Sequence, residues 1–260
     1  MSLNLFNLHN YSTMLNGARE LGYSFICFDQ INGNHDNKKK KCLLRHDVDS
    51  DVSAALKIAN IEYHLGIKST FFLMTRSPFY NVFSRHNHRF IQEIVSLGHG
   101  IGLHYDQGFD LNDGRPVSEL INLEVTFLEE MFNCKISAVS FHQPSSIFLI
   151  DGVDTGDLVN TYDKDKLRNF KYISDSNRKF SPFIDLESAA KVKSIFSNFS
   201  SCSVQMLIHP MWWVYTGITT SAVWDKIIIN NYNQSQAQIL ETELTFGPSR
   251  KITISEKYDE

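Results

Sequence analysis

Cys42-Leu43-Leu44-Arg45-His46-Asp47-Val48-Asp49-Ser50-Asp51 runs from an apolar segment, through two carboxylates, into the predicted start of a helix. Side chains alternate along a strand, so Asp47 and Asp49, at i and i+2, point to one face. Two carboxylates in near contact repel unless a cation or a proton relieves them. At a strand's end such a pair can divide the work, one giving an oxygen to a metal and the other acting as a base beside it. The stretch therefore asks for a metal, whose other ligands must come from elsewhere in the chain.

Outward from this unit, strands and helices alternate. Residues 10–22 read as a short helix ending at a glycine and 23–28 as a strand. Helices are expected over 51–65, 88–97, 117–132, 188–199 and 222–244, and buried or half-buried strands over 42–44, 69–74, 101–104, 136–141, 172–174 and 204–208. This alternation predicts right-handed βαβ units and a parallel α/β sheet, open or closed into a barrel. No internal repeat, low-complexity linker or boundary interrupts it, so 1–260 is read as one domain.

In parallel α/β folds, chemical groups gather at the carboxyl ends of the strands. Here Asp47 and Asp49, His104, His142, Asp175 and His209 each follow or close a predicted strand. A random scatter of ten histidines would rarely put three at such places. Two Asp with two or three His suit a zinc-like divalent ion with nitrogen and oxygen ligands. Such a site supports hydrolysis: the ion polarises a carbonyl and acidifies water, a free carboxylate takes the proton, and a histidine opposite protonates a leaving amine.

Each residue also has an ordinary explanation. A lone Asp after a strand usually caps the next helix, which suits Asp49 before Ser50-Asp51. Asp175 in Ser174-Asp175-Ser176-Asn177 is also turn chemistry. His209 before Pro210 could be a packed strand-end histidine. Trp212 and Trp213 could be core or could wall a sugar-sized cleft.

Bulk composition is that of an ordinary globular chain, 42% hydrophobic and 21% charged. A net charge of −4 gives no support for a nucleic-acid surface. The lysine run 38–41 sits in a polar stretch and reads as a solvated loop. Four cysteines, Cys27, Cys42, Cys134 and Cys202, form no Cys-x-x-Cys and read as reduced thiols. The first 25 residues lack a basic region followed by an apolar one. No run approaches the ~20 apolar residues of a membrane span. The expectation is a cytoplasmic protein.

His46-Asp47-Val48-Asp49, Thr70-Phe71-Phe72, Gly98-His99-Gly100-Ile101-Gly102-Leu103-His104, Phe141-His142-Gln143-Pro144 and Leu207-Ile208-His209-Pro210 occur in an order that resembles the polysaccharide deacetylases. These are the NodB-homology proteins, or family 4 carbohydrate esterases. The likeness runs over residues 43–213. It implies an incomplete, distorted (β/α)7-type barrel with a divalent metal, zinc, at the strand ends. It implies Asp47 as catalytic base, Asp49 and His104 as metal ligands, and His209 as general acid tuned by Asp175. Pro144 matches the loop whose backbone helps hold the oxyanion.

Two positions depart from the pattern. Gly108 stands where the resemblance implies a second metal histidine, and His142 stands where it implies an arginine. The expectation is that His142 replaces the missing ligand, with Asp106 or a water as the competing idea. Arg45 or Arg178 would have to replace the arginine as partner of the base. The implied function is a metal-dependent hydrolase removing an N-acyl group, acetyl, from a sugar or sugar-like glycan precursor. Its rivals are a non-catalytic glycan- or partner-binding descendant and a hydrolase of a non-sugar amide or N-formyl group.

Overall fold

The computed structural model describes residues 5–31, 40–109, 114–145, 153–180, 194–199 and 202–242. Its frame is β1 (Ser24–Ile26), β2 (Lys41–Val48), β3 (Thr70–Leu73), β4 (Gly100–Tyr105), β5 (Ala138–Phe141), β6 (Val159–Asn160), β7 (Phe170–Ser174) and β8 (Ser203–Ile208). Every pairing is parallel, in the order β6-β5-β4-β3-β2-β8-β7, and β1 lies against the first half of β2. The sheet curls into a half-barrel with helices around it, the distorted (β/α)7 architecture expected from the sequence.

Alternation on β2 sorts its residues between two layers. Leu43 packs inside the curl with Ile26, Phe28, Phe72, Ala138, Val159 and Leu167. Cys42, Leu44 and Val48 face the larger core shared with the helices. The same parity sends Arg45 and Asp47 inward and His46 outward to Glu62 on α2. Helix α1 is Leu8–Glu20, α2 Val52–His64, α3 Arg85–Ser96 and α4 Val117–Phe132; α5 (Pro210–Val214) and α6 (Thr220–Thr242) follow β8. Asp51 caps α2 by accepting from the Ser53 N–H at 2.8 Å.

β2 runs past Leu44 through Arg45, His46 and Asp47 to Val48, with Asp49 just beyond its end. β3 pairs with it from Arg45 to Val48 and β8 as far as His46. The polar side chains stay in the strand because each is paired within the fold. Residues 188–194 of the helix expected over 188–199 fall largely outside the described residues; Ile195–Phe199 is a 3₁₀ turn. β6 has only two residues, too short for any periodicity to reveal. Gly102 on β4 is required by close approach, because a Cβ there would lie 2.5 Å from the Phe72 ring.

Candidate metal centre

Asp49 follows β2, His104 lies near the end of β4, and His142 follows β5. His104 Nε2 is 3.2 Å from Asp49 Oδ1, and His142 Nδ1 is 3.3 Å from His104 Nε2 and 3.8 Å from Asp49 Oδ1. One donor atom from each lies within 4.8 Å of the others. The edges bracket the roughly 3.3 Å that separates two ligands about 2.0–2.1 Å from a tetrahedral ion. Asp49 Oδ1 is buried, and the polar groups that face it among the described residues are these two histidine rings. An N,N,O triangle at the cavity floor, its carboxylate oxygen faced by two histidine nitrogens, fits a divalent cation. Burial raises the Asp49 pKa, but hydrogen bonds from His104 and His142 outweigh it and hold the carboxyl far below its usual range. The same hydrogen bond to Asp49 raises His142.

Asp47 sits two residues earlier on the same face. Its Oδ2 accepts from Arg45 Nη2 at 3.0 Å and Ser140 Oγ at 3.1 Å, and Oδ1 has no partner among the described residues. Burial pushes this carboxyl up, and the Arg45 guanidinium, with His104 and His209, more than offsets it. Arg45 is fully buried, donates also to Tyr162 Oη at 3.0 Å, and stacks over the Phe72 and Tyr162 rings. Of the two arginines considered as partners of Asp47, Arg45 makes the contact. Arg178 lies over the Phe6 ring.

His209 follows β8 with Nε2 3.8 Å from Asp49 Oδ2. Its Nδ1 is 2.6 Å from Asp175 Oδ1, and its backbone N–H also donates to Asp175. Trp213 Nε1 donates to Asp175 Oδ2 at 2.9 Å, so the fully buried carboxylate is held from both sides. Burial lowers the His209 pKa, but Asp175 more than reverses this and lifts it to about 9. Asp175 thus favours the protonated form of this ring, whose Nε2 faces Asp49.

Asp47, Asp49, His104, His142 and His209 line one cavity of about 530 Å³, and Asp175 stands behind His209. Trp212 is in the cavity wall with Phe79 and Trp224, whereas Trp213 is core. Pro144 also lines it, next to Gln143 with a left-handed φ of 44°. Asp106 Oδ1 accepts from the Gly108 N–H at 2.9 Å, and Asp106 is not in the donor cluster. Sequence reasoning missed Ser140 and Tyr162, and it gave Trp213 no part in holding Asp175. Ser140 could have been found, since it precedes His142 by two on the same strand face. Trp213 and Tyr162 reach the site only through tertiary contacts.

No family model matches the chain, and no curated protein matches it. Among solved structures, the chain is similar to a CE4 family pseudoenzyme from Bacillus anthracis, BA3943, at 19% identity and TM-score 0.39 over 77% of this chain and 63% of that one. It is similar to a family 4 acetyl xylan esterase from Clostridium thermocellum, in complex with a cobalt ion, at 14% identity and TM-score 0.43 over 76% and 90% of the two chains. It is also similar to the deacetylase PplD of Streptococcus pyogenes, in complex with acetate, at 14% and TM-score 0.41 over 84% and 86%. The chain spans just under two thirds of the length of the Bacillus protein.

Proposed function

We propose that the protein is a divalent-metal-dependent hydrolase that removes an N-acyl group, acetyl, from a sugar or sugar-like substrate. One geometric fact carries the reading. The donor atoms of Asp49, His104 and His142 lie within 4.8 Å of one another, in one cavity with the ring of His209 and with Asp47, whose Oδ1 has no partner among the described residues. Zinc held by Asp49, His104 and His142 would polarise the acyl carbonyl and acidify a water. Asp47 takes the proton on Oδ1, because Arg45 and Ser140 occupy Oδ2. His209, held as the cation by Asp175, gives its proton to the departing amine. His142 completes the ligand set in place of the residue at Gly108.

The aromatic wall of Trp212, Trp224 and Phe79 suits the apolar face of a sugar ring. All four cysteines are unpaired, which suits a reducing, cytoplasmic compartment and an intracellular glycan precursor. Among the described residues no helix is long and apolar enough to cross a membrane.

The test loads purified protein with zinc, measures bound metal, and follows acetate release from N-acetylated chito-oligosaccharides. Asp47→Asn keeps the zinc and loses acetate release by about 10²-fold or more. His142→Ala loses the zinc. Unchanged zinc content in His142→Ala sinks its role as a ligand, and a wild-type protein that takes up no divalent metal sinks the reading.

A further inference from the structure

A second cavity lies beside the first and has no part in the chemistry above. β6 and β7 are the two ends of the strand path. Residues 161–164, 167 and 168, together with Phe170, Tyr172 and Gln205, enclose about 290 Å³ along this seam. Tyr162 and Tyr172 line both cavities, so the two adjoin at these rings.

The seam cavity has an apolar side, Leu167 and Phe170, and three polar features. Thr161 is 2% exposed; its N–H and C=O are engaged by Val139 and Gln205, but Oγ1 has no partner among the described residues. A buried hydroxyl without a partner is costly, which points to a ligand that satisfies it. Lys164 and Arg168 are exposed at the same cavity and have no carboxylate partner among the described residues. The one acid in the lining, Asp163, spends Oδ1 on the N–H groups of Asp165 and Lys166. The cavity thus offers two cations against the single carboxylate of Asp163, a net positive charge, and a hydroxyl donor next to aromatic faces. That is a binding set for a multiply charged oxyanion, for which a guanidinium and an ammonium are the usual protein partners.

We propose that the seam is a second subsite, for a phosphate group carried by the substrate whose N-acyl group enters the metal centre. The substrate is then a phosphorylated sugar rather than a neutral glycan. This inference rests on the reading of the main cavity as a sugar site, and binding can test it without turnover.

Dissociation constants are measured for N-acetylglucosamine and N-acetylglucosamine 1-phosphate with the wild type and with Lys164→Ala/Arg168→Ala, whose exposed positions leave the fold intact by circular dichroism. The wild type should bind the phosphorylated sugar about ten-fold tighter, and the double variant should bind both sugars alike. Equal binding by the wild type, or a preference that survives in the double variant, overturns the proposal. If neither sugar binds, inorganic phosphate is titrated and backbone amide shifts are followed. Shifts confined to 161–172 sustain the phosphate subsite while the sugar reading falls. Absent or dispersed shifts overturn both.

Discussion

Arg45 and Asp47 are two positions apart on β2, and together they form an ion pair inside the barrel. Both are at most 3% exposed, and Arg45 Nε and Nη1 have no partner among the described residues, so Asp47 is the charge that makes the guanidinium tolerable there. Breaking a buried pair costs more than the pair itself is worth, because one charge is left uncompensated. Asp47→Asn should therefore lower unfolding stability by about 3–5 kcal/mol, measured by urea denaturation, in contrast to the small effect of most surface changes. His209 gives a second prediction at this scale. Its folded pKa is raised, from the usual 6.5 to about 9, so its proton stabilises the fold fully below pH 6.5 and ceases to as pH rises through 9. In metal-free protein, the stability gap between wild type and His209→Gln should be widest at pH 6 and close above pH 9. A gap that grows with pH would contradict the Asp175–His209 pairing.

Elements carry these residues to the site through their pairing. β4 delivers His104 at a fixed height because Gly102 lies beside Phe72, its register partner on β3. Gly102→Ala would place a methyl 2.5 Å from the Phe72 ring. The ring or β4 must move, at a cost of about 1–3 kcal/mol, and His104 moves with it. The expected outcome is a lower melting temperature together with weaker zinc binding, read by thermal scan and metal titration. α4 teaches the reverse lesson about reading elements. Its periodicity predicts the helix, but only part of its apolar set is buried. Leu120 and Leu128 are core, whereas Leu123, Phe127 and Met131 face solvent. Apolar spacing locates a helix; it does not say which of two apolar faces the sheet covers.

Across the whole molecule, Asp49, His104 and His142 come from chain positions far apart and meet only in the folded sheet. Zinc held by all three, as proposed, would stabilise the native state and not the unfolded chain, by about 2.7 kcal/mol when free zinc is a hundred times Kd. Added zinc should raise the melting temperature reversibly by chelation, and His142→Ala should abolish the rise. Behind the site, a buried network ties the outer layer to β2. Glu62 accepts from Tyr11, from His46 Nε2 at 2.7 Å and from Ser69 Oγ at 2.6 Å. Tyr11 in turn packs edge-on against Trp213, which holds Asp175.

The sequence alone determined the alternating parallel architecture and the strand ends that carry Asp47, Asp49, His104, His142, Asp175 and His209. Those properties are local: apolar runs, period-two alternation and a His or Asp where each run stops. It did not determine that β2 continues past Leu44 to Val48, that β6 exists, or that Trp213 and Tyr162 serve the site. Nor could it choose between Arg45 and Arg178 as partner of Asp47. Arg45 became that partner because strand parity and the inward curl bury it within reach of Asp47 and Tyr162. Donor distances and charge balance depend on curvature and packing between segments distant in sequence, and only the tertiary structure sets those.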